Sequence, residues 1–140
     1  MPAINNLYPH LLPPDIPVWL RFLAAYGHQF QRIEYDVRVG KGRPASHLLP
    51  DNIKQMALDL SMRRIDAVGF TAAGIICIEI TKLAGLRAIG QLTTYPILYR
   101  QTFDPKQTVT ALLVAEALDS DIEPILIEKN LDYVLLQEET

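Results

Sequence analysis

The sequence predicts one α/β domain, a mixed central sheet flanked by helices, in the order α-β-α-β-β-α-β-α-β. Three observations carry that expectation. Apolar and charged residues alternate strictly over 32–39, as in a half-buried strand. Two β-rich runs joined by Thr71-Ala72-Ala73-Gly74 have the form of a hairpin. Apolar residues at helical spacing lie before, between and after these runs. A chain of 140 residues has the length of one domain with one core.

The first fifteen residues are rich in proline and lack periodicity, so 1–15 reads as an irregular arm laid over the domain or over a partner, with the domain proper at 16–140. Val18, Trp19, Phe22, Leu23 and Tyr26 then recur at helical spacing, with Asp15 as cap and Gly27 as stop, giving a helix over 16–28. On the strand at 32–39, Ile33, Tyr35, Val37 and Val39 are expected on one face and Arg32, Glu34, Asp36 and Arg38 on the other. Gly40 and Gly42 end it, and a second amphipathic helix follows over 51–62, capped by Asp51. After the hairpin, Leu86, Ile89, Leu92, Tyr95, Tyr99 and Phe103 share one helical face, bent at Pro96. A strand begins at Thr108. Ser120 and Glu123 form a capping box for the next helix, Asn130 closes it in a left-handed turn, and 131–136 is the last strand.

Composition narrows the function. A hydrophobic fraction of 49% with 21% charged residues belongs to a globular chain rather than a disordered one. Cys77 is the only cysteine, so no intrachain disulfide forms, and its apolar neighbours predict a buried thiol. No apolar run reaches the ~18 residues that span a bilayer, and there is no secretory leader, so no membrane partner and a cytoplasmic setting are expected. The net charge of −3 lacks the overall basic footprint of many duplex-binding domains, although Arg32, Arg38, Lys41, Arg43, Arg63 and Arg64 allow a local one. His10, His28 and His47 have no ligand spacing and read as surface residues.

The chemistry lies in the hairpin. Period two sends Ile75, Cys77, Glu79 and Thr81 one way and Ile76, Ile78, Ile80 and Lys82 the other. Glu79 is therefore a carboxylate in an apolar run, costly to bury without a partner. Asp66, between Ile65 and Ala67 on the preceding strand, is the same kind of residue. Two acids on adjoining strands can hold a divalent cation through hard oxygen ligands.

Ile65-Asp66-Ala67-Val68, then Ile78-Glu79-Ile80-Thr81, then Gly90-Gln91-Leu92 with Tyr95, resemble the core of the PD-(D/E)XK, restriction-endonuclease-like nucleases over roughly 16–118. In that superfamily an Asp on the second strand and a Glu-x-Lys on the third form the site, and the helix that follows carries the Gln. The first strand, Tyr35-Asp36-Val37-Arg38-Val39-Gly40, is similar to that of small stand-alone members encoded by tailed bacteriophages. The resemblance implies Asp66, Glu79 and Gln91 as site residues, Asp66 and Glu79 as candidate ligands of Mg²⁺ or Mn²⁺, and DNA as substrate.

The departure from the motif is at Thr81, which occupies the lysine slot. A short neutral hydroxyl cannot replace an ammonium. Lys82, one residue along, faces the other way. Some members of the superfamily take an acid from the first helix, and 18–28 contains none. Two functions follow from this, and the absent lysine and the net charge of −3 favour the first. In one, catalysis is lost, no cofactor is needed, Asp66 and Glu79 persist paired with Arg38, Arg63 or Arg64, and the chain is a binding or assembly module whose partner is another protein, a phage structural protein or a second copy, located in the virion if phage-encoded. In the other, it is a Mg²⁺- or Mn²⁺-dependent DNA endonuclease or exonuclease working without the motif lysine.

Overall fold

A computed structural model describes residues 7–138. Its elements are α1 (Ile16–Tyr26), β1 (Arg32–Val39), α2 (Asp51–Ser61), β2 (Arg63–Thr71), β3 (Gly74–Ala84), α3 (Leu86–Phe103), β4 (Val109–Leu118), α4 (Ile122–Glu128) and β5 (Asp132–Leu135). This is the order expected from the periodicities. The strands form one five-stranded sheet in sequence order, with β1, β2 and β3 antiparallel to one another and β4 and β5 added in parallel. The parallel steps follow from the chain itself, because each is bridged by a helix that returns the chain to the same edge.

The hairpin turns where Gly74, at φ 150°, brings its backbone against Thr108. A Cβ there would stand 2.8 Å from the Thr108 carbonyl oxygen, so only glycine fits. Asn130 takes the left-handed conformation at φ 54° and closes α4. The capping box does not form: Asp121 holds the N-cap position, and Glu123 instead accepts the Tyr133 hydroxyl at 3.0 Å. The α3 helix continues through Pro96.

The sheet divides the core into two sides. On one, Trp19 and Phe22 of α1 pack on Ala67, Ile78, Ile80 and Val114. On the other, Tyr95 and Tyr99 of α3 cover Val37, Val39, Ile65 and Cys77, while Leu92 joins Leu113, Ile122 and Leu126. Each such large side chain removed from water contributes ~1.5–3 kcal/mol. Ile89 and Leu92 thus lie across the sheet from Trp19, not in one continuous core with it.

Strand β1 does not keep one face. Ile33 and Tyr35 pack with α1, whereas Val37 and Val39 pack with α3. The reversal occurs at Asp36, whose φ of 53° breaks the pleat. Strand β2 reverses opposite it, since Ile65 and Val68, three residues apart, share the α3 side while Ala67 faces α1. On α3 the predicted apolar face is shorter than expected, because Leu86 and Phe103 at its ends are exposed. No residue of α2 is buried. No described helix is long and apolar enough to cross a membrane.

Candidate active site

The ladder between β2 and β3 has its last paired residues at Ala67 and Ile78. One step further, the same register sets Asp66 opposite Glu79. There the strands part, and the Ile80 N–H that a strand carbonyl would otherwise accept is taken by Asp66 Oδ2 at 2.9 Å. The opening widens into a cavity of about 490 Å³ lined by both acids, by Thr81 of β3 and by Gln91 and Tyr95 of α3. The four residues expected at the site, Asp66, Glu79, Thr81 and Gln91, are brought together.

Glu79 is 5% exposed, and its Oε1 is buried without a hydrogen-bond partner. Burial, reinforced by the neighbouring Asp66 charge, pushes its carboxyl up to about 10. Asp66 is also raised by burial, against the lowering effect of the Ile80 N–H. Two carboxyl groups this close resist simultaneous ionisation unless a cation lies between them. Burial likewise raises the Cys77 thiol to about 12, so it is an inert core group.

The expected arginine partners do not bond the acids, although Arg63 and Arg64 line the same cavity. Arg64 Nε pairs with Asp36 Oδ1 at 3.3 Å, and among the described residues neither Asp66 nor Glu79 has a salt bridge to Arg38, Arg63 or Arg64. The expected pairing of Asp66 and Glu79 with Arg38, Arg63 or Arg64 is therefore corrected. The Lys82 ammonium is directed away, 4.0 Å from Glu116, and does not line the cavity.

The donor set fits a hard divalent cation. Two carboxylates, one with an orphaned buried oxygen, match the way Mg²⁺ is held by one or two carboxylates while keeping several waters. No third His, Cys, Asp or Glu among the described residues completes a cluster around them.

Three cavity residues escaped the sequence reading. Residues 7–15 pack on the domain itself through Leu11, which is buried against α1, and this places His10 and Asp15 in the cavity wall. His10 is therefore not a remote surface residue; its ring lies 5.6 Å from that of Tyr35, and its Nε2 is buried without a partner. Asp15, just ahead of α1, does not cap the helix but accepts the Lys82 N–H at 2.8 Å. Arg87, in the first turn of α3, was also missed; no motif distinguishes it from a solvated surface arginine.

No protein-family model matches the chain, and no curated protein matches it. Solved structures do. A repair endonuclease from Pyrococcus abyssi superposes with a TM-score of 0.50 at 16% identity, covering 88% of this chain and 47% of that one. EndoMS in complex with double-stranded DNA superposes with a TM-score of 0.53 at 16% identity, covering 93% of this chain and 47% of that one. The chain spans about half the length of either. These likenesses show a shared fold, the restriction-endonuclease-like α/β core with its five-stranded mixed sheet.

Proposed function

We propose that the chain is a divalent-metal-dependent DNA phosphodiesterase that works without the motif lysine. The observation that carries this reading is the pair formed by Asp66 and Glu79, one half-buried and one buried carboxyl group at the opening of one polar cavity, with no salt bridge to either among the described residues. A pair kept only for stability would be replaced at little cost by apolar residues or satisfied by arginine. The fold shared with two endonucleases, one solved on double-stranded DNA, supports the same reading. The assembly reading keeps the absent lysine and the net charge of −3, but residues 7–15 of the arm lie on their own domain and no arginine among the described residues forms a salt bridge with the acids.

Asp66 and Glu79 would hold the metal, which when bound supplies Lewis-acid polarisation of a phosphate and a water of lowered pKa. Asp66 is aimed by the Ile80 N–H. Arg63 and Arg87 line the cavity as fixed cations that can stabilise the extra negative charge of a phosphorane-like transition state but cannot accept a proton. Thr81 faces the cavity and offers only a hydroxyl, which in this structure donates to the Leu83 carbonyl at 3.3 Å. A slow enzyme is the consequence.

The test is cleavage of labelled linear and circular DNA with Mg²⁺ or Mn²⁺, with Asp66→Asn and Glu79→Gln as controls. Metal-dependent cutting that both substitutions remove is the expected result. Equal activity in the Glu79→Gln protein, or no cutting by the folded wild type, overturns it.

A further inference from the structure

Beside the acid cavity the sheet carries an unusual pair. In the register of β1 on β2, Arg38 stands directly opposite Arg64. Like charges facing each other across a ladder destabilise the sheet. Asp36, two residues before Arg38, pairs with Arg64. Arg38 has no ion pair and no hydrogen bond among the described residues, and its Nε is buried and unpartnered. In a chain of net charge −3, Arg38 is an unneutralised cation across the ladder from Arg64; Arg64 lines the cavity and Arg38 lies just outside its lining.

The surroundings indicate which anion. Arg64 and Asp36 line the same cavity as Asp66 and Glu79, and Arg63, the next residue on β2, lines it too without an ion pair. Asp36 is the residue at φ 53° where β1 reverses its faces, so the break in the pleat sets its carboxylate on Arg64. Arg38 is left with its fork of donors, the geometry that suits phosphate oxygens.

We propose that Arg38 and Arg64 form a phosphate subsite that binds a phosphodiester group flanking the one presented to Asp66 and Glu79. The subsite rests on the nuclease reading and goes beyond it by assigning the residues that fix the nucleic acid's register. Phosphate contacts position a strand without reading its bases, so no sequence preference arises at this position. The two arginines face each other across the ladder at an energetic cost that a bound phosphate would offset.

The experiment uses the full chain, fluorescein-labelled single- and double-stranded DNA, and EDTA, so that binding is read without cleavage. Anisotropy titrations over a range of KCl concentrations give the affinity and the salt slope of the wild type, of Arg38→Met, which keeps the apolar stem, and of Arg38→Lys, which keeps the charge. Arg38→Met is expected to bind several-fold more weakly, with a slope reduced by about one, while melting at the same temperature as the wild type or higher. Arg38→Lys is expected to keep most of the slope. If wild type binds DNA and Arg38→Met binds with the same affinity and slope, the subsite is wrong and the nuclease reading stands. If both variants melt lower and lose affinity equally, Arg38 is a packing residue and the subsite is again wrong. If folded wild type binds neither DNA form, the nuclease reading fails and takes the subsite with it.

Discussion

Asp36 and Asp66 stand opposite each other across β1 and β2, between the paired residues Tyr35–Ala67 and Val37–Ile65, and both strands exchange their faces at this point. The double reversal keeps the register on either side and lets Val37, Val39 and Ile65 pack under α3 while Tyr35 and Ala67 pack under α1. It also places Asp66 where the sheet opens. A left-handed residue in a strand is a local strain of ~1–3 kcal/mol that neighbouring structure must hold.

That strain gives the first prediction. Asp36→Gly keeps access to positive φ, whereas Asp36→Val forces a β-branched side chain into it. In urea denaturation the Val variant should lose more stability than the Gly variant, by about 1–2 kcal/mol. Equal losses would show that the Arg64 ion pair, removed in both, is all that Asp36 contributes.

The raised carboxyls give a pH prediction for the metal-free protein. With its folded pKa lifted to about 10 from an ordinary 4.5, Glu79 retains a proton in the native state that the unfolded chain releases. Native protein then binds more protons than unfolded protein across that window, so stability falls as pH rises. The contribution is fully present below about pH 4.5 and is lost progressively toward pH 10. Glu79→Gln, a neutral mimic of the protonated side chain, should flatten the profile and melt higher than wild type at pH 8. Adding Mn²⁺ at pH 8 should raise the melting temperature of wild type only, because a cation favours the ionised pair. Parallel profiles for the two proteins would mean that Glu79 is ionised and already compensated.

Strand β4 supplies a packing prediction. Leu113 is fully buried between α3 and α4, while its neighbour Leu112 is only partly buried on the α1 side. Leu113→Ala should cost about 2–5 kcal/mol, and Leu112→Ala distinctly less. Denaturant midpoints at constant m-value give the comparison, and a larger loss at Leu112 would reverse the assignment of the two faces.

How far residues alone reveal this site depends on whether a pattern survives locally. Along β3 the alternation of Ile75, Cys77 and Glu79 with Ile76, Ile78 and Ile80 runs unbroken, so the side on which Glu79 lies follows from period two. On β1 the same rule misleads. Ile33, Tyr35, Val37 and Val39 alternate as though on one face, and a reversal between Tyr35 and Val37 leaves no trace because an apolar residue occupies each inward position on both sides of it. An aspartate at positive φ is its only mark, and the sequence shows the aspartate but not its φ. His10 and Asp15 were out of reach for a different cause: their place in the cavity depends on Leu11 docking under a helix from outside any periodic element. The arginine partners expected for Asp66 and Glu79 failed because closeness in sequence says nothing of side-chain direction; Arg64 reaches Asp36 on the neighbouring strand instead.

The last prediction returns to Thr81. It lines the cavity on the strand that carries Glu79, two residues on, so Thr81→Lys would place an ammonium where the superfamily motif has one. Lys82 cannot serve, since its ammonium lies near Glu116 and its N–H bonds Asp15. The new cation should act twice. It would favour the ionised form of Glu79, moving the acidic limb of the pH–rate profile to lower pH. It would also stabilise charge developing on the phosphate, worth on the order of a hundredfold in rate. Thr81→Lys is therefore expected to raise Mg²⁺-dependent cleavage of plasmid DNA by about that factor, with Asp66→Ala abolishing the gain and Lys82→Ala leaving it unchanged. A folded Thr81→Lys protein that cuts no faster than wild type, with an unmoved pH profile, would mean that the side chain at 81 does not reach the reacting phosphate.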